Sequence, residues 1–116
     1  MKILIIDDAA FAIHRIQQIL EDRGYNVITA NSGPEAIDLF KKDKPDITFC
    51  DVEMPGMSGL QVLAEIQRLD PSHKVVMLTS NTRKETIMEA KSKGASGYIA
   101  KPFEPSQLID KIHQFE

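Results

Sequence analysis

Short apolar runs alternate along this chain with longer segments in which apolar residues recur every three or four positions. The runs Ile3 to Ile6 and Ile47 to Cys50 contain no charged residue and end directly at Asp7 and Asp51. Runs of this kind are typical of strands that are covered on both faces of a parallel sheet. The predicted strands are residues 3–6, 25–30, 47–50, 74–78 and 98–100.

The segments between these strands have helical spacing and recognisable helix ends. Ser32 and Glu35 have the spacing of a capping box, and Pro34 between them suits a first helical turn. Ser58 and Gln61 repeat that spacing before the third helix. The first four helices are predicted to stop at Gly24, Pro45, Asp70-Pro71 and Gly94. The fourth is predicted to begin at Thr82, with Glu85 completing the cap, and the fifth at Pro105.

Strict alternation of strands and helices decides the predicted fold class. It indicates parallel strands joined by right-handed crossovers, with helices on both faces of the sheet. Five strand–helix units are too few for a closed eight-stranded barrel. We therefore expect an α/β fold with an open, doubly wound five-stranded parallel sheet, flavodoxin-like (βα)5, in strand order 2-1-3-4-5. The length of 116 residues suits one domain spanning residues 1–116.

Polar residues follow the first, third, fourth and fifth predicted strands. In the expected order, Asp7, Asp8 and Asp51 meet at two neighbouring strand ends, with Thr79 and Lys101 on the far side of the same pocket. Carboxylates this close repel each other unless a cation lies between them, and oxygen ligands suit Mg²⁺, with Mn²⁺ as an alternative. An aspartate in such a pocket can act as a nucleophile and accept a phosphoryl group.

The chain resembles the receiver domain of two-component response regulators, in particular the single-domain, chemotaxis-type members. The resemblance implies a phosphorelay signalling switch in which a histidine kinase or a phosphotransfer protein phosphorylates Asp51, and the domain then dephosphorylates itself. The segments that carry the resemblance are Ile5-Ile6-Asp7-Asp8, Asp51-Val52-Glu53-Met54-Pro55-Gly56-Met57-Ser58-Gly59, Leu78-Thr79-Ser80 and Lys101-Pro102-Phe103.

The resemblance also implies roles for the pocket residues. Asp8 and Asp51 would ligate Mg²⁺ directly, Asp7 would do so through water, and Glu53 would contribute its backbone carbonyl. The side chains of Thr79 and Lys101 would contact the phosphoryl group, and the Lys101-Pro102 bond would be cis.

A switch and an output surface follow from the same resemblance. Thr79 would move toward the phosphoryl group and the ring of Tyr98 would turn inward, although an aromatic in a short strand is also compatible with simple packing. The output surface would comprise the fourth helix, the fifth strand and the fifth helix, where Lys84, Met88 and Tyr98 are candidates for contact with an unknown target protein.

Two positions depart from the pattern of chemotaxis-type members. Glu53 stands where an amide is frequent, and Asn81 stands where an acid is common. We hypothesise that the Glu53 side chain approaches the phosphoryl group or the attacking water and alters the rate of dephosphorylation and the affinity for the metal.

A further hypothesis concerns the approach of the phosphoryl donor. Phe11, Pro55 and Phe103 are predicted to ring the pocket mouth and to receive the kinase or phosphotransfer protein. For Phe11, packing in the core is the simpler alternative. His14, His73 and His113 are predicted to lie on the surface, and Cys50 to be a buried, inert thiol.

Composition narrows the expected partners and location. A net charge of −3 leaves no basic stripe for nucleic acid and no attraction to anionic membranes. The single cysteine, Cys50, cannot form an internal disulfide, and the first apolar run is too short for a signal peptide. We therefore expect a cytoplasmic protein without nucleic-acid or membrane partners, either a monomer or a weak, phosphorylation-dependent dimer.

Other functions remain compatible with these residues. A Mg²⁺-dependent phosphohydrolase with an aspartate nucleophile would pair Asp51 with an acid two residues later, which is the position of Glu53. A receiver-like interaction domain that is never phosphorylated would keep the fold without the chemistry. A flavin-binding module is disfavoured, because Asp7 and Asp8 would repel a flavin phosphate.

Overall fold

The strands form one parallel sheet in the order β2-β1-β3-β4-β5, which confirms the predicted fold class. The computed structural model describes residues 1–116. The strands are β1 (Lys2–Ile6), β2 (Asn26–Ala30), β3 (Ile47–Asp51), β4 (Lys74–Thr79) and β5 (Gly97–Ala100). All five begin within one residue of the predicted limits, and β3 and β4 each run one residue further into the polar end.

Five helices connect and follow these strands, and they cover both faces of the sheet. No helix combines the length and the apolar character that crossing a bilayer requires. The helices are α1 (Ala10–Glu21), α2 (Gly33–Asp43), α3 (Gly59–Leu69), α4 (Lys84–Ser92) and α5 (Pro105–Phe115).

The core consists of two apolar layers, one on each face of the sheet. Successive strand residues point to opposite faces, so Ile3 and Ile5 pack with α1 and α5, while Leu4 and Ile6 pack with α2 and α3. Cys50 lies in the α2–α3 layer and is fully buried, as predicted. Burial and the neighbouring Asp51 and Asp7 charges raise the pKa of its thiol, so it stays protonated and unreactive.

Two serine caps form where the sequence places them. The Ser58 hydroxyl accepts from the Gln61 amide at 3.3 Å, and the Gln61 side chain accepts from the Ser58 amide at 2.8 Å. At α2 the Ser32 hydroxyl accepts from the Glu35 amide, and the Glu35 carboxylate accepts from the Asn31 amide instead of from Ser32. These bonds satisfy amides that a helix start leaves without partners.

Of the predicted limits of α4 and α1, the first is wrong and the second is confirmed. Thr82 does not cap α4: the N-cap residue is Arg83, whose amide donates to the Asn81 side-chain oxygen at 3.0 Å. The Asn81 side chain thus bonds the amide of the N-cap residue, and no side chain caps the first turn of α4. The predicted stop of α1 at Gly24 is confirmed: α1 ends at Glu21, and Gly24 follows with a φ of 87°. The Gly24 amide donates to the Glu21 carbonyl and the Tyr25 amide to the Leu20 carbonyl, the pattern of a glycine-terminated helix.

The prediction for His73 is also wrong, whereas His14 and His113 are exposed as expected. His73 is buried at the edge of the sheet opposite the carboxyl ends of the strands. Its Nε2 lies 2.8 Å from the Thr48 hydroxyl, and its ring packs edge-on against Phe40 at a centroid distance of 4.8 Å. Burial lowers its pKa from the ordinary value of 6.5, against the weaker upward effect of Asp70 and Asp46.

Candidate functional site

The carboxyl ends of four strands converge at one edge of the sheet. The register aligns Ile6 with Cys50 and Asp51 with Leu78, so the residues after β1, β3 and β4 lie side by side. β1 and β3 are the neighbours at which the strand order reverses, which is where open parallel sheets form their ligand crevice. The structure brings Asp7, Asp8, Asp51, Thr79 and Lys101 to this edge.

Three carboxylates form the centre of the site. Oxygens of Asp7, Asp8 and Asp51 lie within 4.8 Å of one another. The Asp7 and Asp51 residues are only 1% and 4% exposed, whereas Asp8 faces solvent. The Asp7 carboxylate also accepts from the Ala9 amide at 2.9 Å, which fixes its orientation. An all-oxygen cluster with one open side fits Mg²⁺, an ion that keeps several of its waters.

Lys101 supplies the counter-charge within this cluster. Its Nζ lies 3.2 Å from Asp7 Oδ2 and 3.1 Å from Asp51 Oδ1. Burial acts to lower the pKa of Lys101, but the bonds and charges of Asp51 and Asp7 outweigh it and raise the pKa, so the ammonium stays protonated. The Lys101-Pro102 peptide bond is cis, as the resemblance implies.

One ammonium does not balance the negative charge at Asp51. Burial and the charge of Asp7 raise the pKa of Asp51 from 3.8 to about 6, Lys101 opposes the change, and Glu53 adds a small upward contribution. A divalent cation would favour the ionised carboxylate and so remove the cost of this crowding. The electrostatics of the chain therefore fit a metal ion at this position.

Thr79 connects the acidic cluster to the loop after β4. It is fully buried, and its hydroxyl donates to Glu53 Oε1 at 2.8 Å and accepts from the Asn81 amide at 2.9 Å. The Tyr98 hydroxyl in turn donates to the Asn81 carbonyl. Asn81 thus links the threonine to the half-buried tyrosine through its backbone, a link that the sequence pattern did not indicate.

A cleft of about 150 Å³ opens beside the site, between α1 and the loop after β5. Phe11 is 83% exposed along it, which rules out the core position that was its alternative. Phe103 lines the cleft but is buried, with the Arg15 guanidinium 5.2 Å from its ring centroid. Pro55 is exposed and does not line this cleft. Phe11 and Phe103 thus share one cleft without Pro55, and the ring of three around the acidic pocket stays a prediction. Arg15 lines the same cleft, and sequence reasoning missed it.

The predicted output residues lie on the side formed by α4, β5 and α5. Lys84 is exposed, and Met88 is an apolar side chain with 58% of its surface accessible. Tyr98 lies at a neighbouring groove of about 260 Å³ together with Lys91 and Lys111, two lysines that the sequence analysis did not single out. Helical spacing alone does not show which lysines face this groove.

Comparison with known proteins places these features in context. Residues 3–113 match the family model described as response regulator receiver domain. The chemotaxis protein CheY of Thermotoga maritima is 35% identical over 114 residues, covering 97% of this chain and 95% of that protein.

Two solved structures share the fold closely. Vibrio cholerae CheY4 superimposes with a TM-score of 0.94 at 32% identity, covering 99% of this chain and 98% of that one. CheY in a CheX–CheY–BeF₃–Mg²⁺ complex from Borrelia burgdorferi superimposes with a TM-score of 0.93 at 29% identity, covering 98% and 87% of the two chains.

Proposed function

The chain belongs to the response regulator receiver domain family, and on that premise we propose that Asp51 is its phosphorylation site. The family match confirms the resemblance inferred from the motifs, and with it the general function of a phosphorylatable signalling switch. The observation that supports Asp51 most directly is its position at the carboxyl end of β3, beside the Asp7 carboxylate and 3.1 Å from the Lys101 ammonium that bonds both. The proposed phosphodonor is a histidine kinase or a phosphotransfer protein.

The metal site of this proposal is built from the acidic cluster. Asp8 and Asp51 would hold Mg²⁺ directly, Asp7 would do so through water, and Glu53 would offer its backbone carbonyl. When bound, Mg²⁺ neutralises negative charge on the phosphoryl oxygens. The beryllofluoride and Mg²⁺ held by the complex from Borrelia burgdorferi support this choice of metal.

Phosphotransfer then requires positioning more than covalent chemistry from the other residues. An oxygen of Asp51 attacks phosphorus as the bond between phosphorus and the donor nitrogen breaks. Lys101 is already 3.1 Å from Asp51 Oδ1 and therefore lies where it contacts an incoming phosphoryl oxygen. The Thr79 hydroxyl binds a second phosphoryl oxygen, and hydrolysis of the acyl phosphate resets the switch.

The switch and partner surfaces complete the proposal. A shift of Thr79 toward the phosphoryl group is passed to Tyr98 through the Asn81 backbone that both side chains contact. The α4–β5–α5 surface, with Lys84 and Met88, then binds a target protein. We propose that domain 1–116 works in the cytoplasm as a monomer or a weak dimer. It is proposed to catalyse no reaction on an external substrate and to bind no nucleic acid.

Intact-mass measurement tests the phosphorylation site. The protein is incubated with acetyl phosphate and Mg²⁺, and we expect a mass gain of one phosphoryl group that Asp51→Ala abolishes. Omission of Mg²⁺ should also abolish the gain. A gain that persists in Asp51→Ala would reject the assignment, and multiple turnover on a phosphate ester such as p-nitrophenyl phosphate would favour a phosphohydrolase.

A further inference from the structure

The single hydrogen-bond donor of the Thr79 hydroxyl is already used in this structure. A threonine hydroxyl carries one hydrogen and can donate only one strong bond. That hydrogen points to Glu53 Oε1 at 2.8 Å, while the alternative acceptor, the Asn81 carbonyl, is 3.5 Å away. The hydroxyl must therefore leave Glu53 before it can donate to a phosphoryl oxygen.

Glu53 is a strong competitor for this hydrogen. A carboxylate accepts more strongly than a neutral group, and the geometry here is short and direct. Thr79, the donor, is fully buried, so water does not compete with Glu53 for the hydrogen of its hydroxyl. Glu53 itself is exposed and can turn into solvent once it is released.

We infer that the Glu53 side chain is a latch: it holds the Thr79 hydroxyl in the unphosphorylated state and so weakens the affinity of the site for a phosphoryl group. This inference rests on the proposed phosphorylation of Asp51. Glu53 acts here as a positioning residue, because it works through Thr79 and needs no contact with the phosphoryl group. Since the Asn81 amide also bonds Thr79, release of the latch is linked to the loop that contacts Tyr98.

Simple charge repulsion between Glu53 and the phosphoryl group is the competing explanation. It too predicts tighter binding when Glu53 is removed, but it does not depend on Thr79. A double-mutant cycle separates the two, because only the latch makes the effects of Glu53 and Thr79 interdependent.

The test measures the affinity of the whole chain for beryllofluoride, a phosphoryl mimic, at saturating Mg²⁺ so that metal affinity does not contribute. We expect Glu53→Ala to bind beryllofluoride about five to ten times more tightly than the wild type, roughly 1 kcal/mol. In a Thr79→Val background, the same Glu53→Ala change should have no effect. Glu85→Ala removes another exposed carboxylate, at the start of α4, and should leave the affinity unchanged.

Glu53→Gln gives an independent measurement if Thr79→Val folds poorly. Glutamine removes the charge but retains an oxygen that can accept from Thr79. The latch predicts a gain smaller than that of Glu53→Ala, whereas repulsion predicts equal gains. No gain in Glu53→Ala, an equal gain with Val at position 79, or equal gains for the Ala and Gln variants would each overturn the latch.

The failure of the latch is distinguishable from the failure of the proposed function. If the wild type binds beryllofluoride with Mg²⁺ and gains phosphoryl mass, Asp51 phosphorylation stands whatever the cycle shows. If it does neither, the proposed phosphorylation site is rejected, and the latch, which depends on it, is rejected as well.

Discussion

Asp51 experiences opposing electrostatic effects at the scale of a single residue. Burial and the Asp7 charge raise its pKa to about 6, and the Lys101 ammonium pulls it down. Two nearly buried carboxylates share one lysine, so the protein without metal carries uncompensated negative charge. Uncompensated charge that destabilises the folded protein is expected at a site that binds a cation and a phosphoryl group.

Neutralising Asp7 should relieve this strain. We expect Asp7→Asn to raise the free energy of unfolding without Mg²⁺ by on the order of 1 kcal/mol, since one pKa unit at Asp51 corresponds to about that energy. The stabilisation by added Mg²⁺ should shrink at the same time. Urea unfolding with and without Mg²⁺ measures both effects. An Asp7→Asn protein that is less stable than the wild type in the absence of metal would contradict the prediction.

At the scale of elements, α1 presents a feature that the core does not explain. Phe11 lies on its first turn with 83% of its surface exposed, and the cleft that it borders reaches Lys101. Arg15, one helical turn later, stacks over Phe103 and adds a cation at the same cleft. An aromatic and an arginine at a cleft that reaches Lys101 suit the protein partner that we propose as the phosphoryl donor.

Removing the Phe11 ring should therefore affect one class of donor only. We expect Phe11→Ala to slow phosphotransfer from a histidine-phosphorylated donor protein by about tenfold, the loss typical of an exposed aromatic anchor. Phosphorylation by acetyl phosphate should stay unchanged, because a small donor does not need the cleft. Stopped-flow or gel-based transfer rates measure the first effect and intact mass the second.

Met88→Ala provides the matched control for this experiment. It removes an exposed apolar side chain from α4, a helix that does not line the cleft. It should leave both transfer rates unchanged. If Phe11→Ala slowed phosphorylation by the donor protein and by acetyl phosphate equally, the ring would support the structure of the site and would not bind the donor protein.

At the scale of the whole molecule, the acidic cluster lies at the edge of the sheet where the strands end. The opposite edge holds contacts that stabilise the fold. His73 lies at the second edge and joins three elements: its ring contacts Phe40 of α2 and Thr48 of β3, and its carbonyl accepts from Gln67 of α3 at 2.9 Å. No pocket carboxylate is among these partners. Its effect on the protein is therefore expected in stability and not in phosphorylation.

The pH dependence of unfolding should reveal this histidine. Because burial lowers its pKa in the folded state, the unfolded chain binds the proton more readily below pH 6.5. The contribution of His73 to the free energy of unfolding should be fully present above that pH. It should decrease as the pH drops from the unfolded-state pKa of His73 toward its folded-state pKa, and stay constant below. Asp70 and Asp46 attract the proton and moderate the loss.

Urea unfolding between pH 8 and pH 5 measures this dependence. The carboxylates of the chain also titrate at low pH, so the informative quantity is the difference between wild type and His73→Gln. His14→Gln, which changes an exposed histidine, should follow the wild type. Identical pH slopes for wild type and His73→Gln would contradict the role of His73.

The sequence by itself determined the architecture and the composition of the site edge. Continuous apolar runs define strands, helical spacing and caps such as Ser58 define helices, and both depend on residues close together in the chain. Alternation then leaves few topologies, so the meeting of Asp7 and Asp51 follows from the strand order. Sequence reasoning failed for Thr82, because the N-cap residue is Arg83, which makes no side-chain cap bond and whose amide donates to Asn81.

The tertiary structure alone decided how particular side chains are paired. Glu53 meets Thr79 across 26 residues, His73 meets Thr48 across 25, and Arg15 reaches the Phe103 carbonyl across 88. Such contacts depend on the direction in which each side chain leaves its element and on the space that neighbouring elements leave. Local periodicity carries no information about either, because it specifies which face a residue lies on and not what faces it.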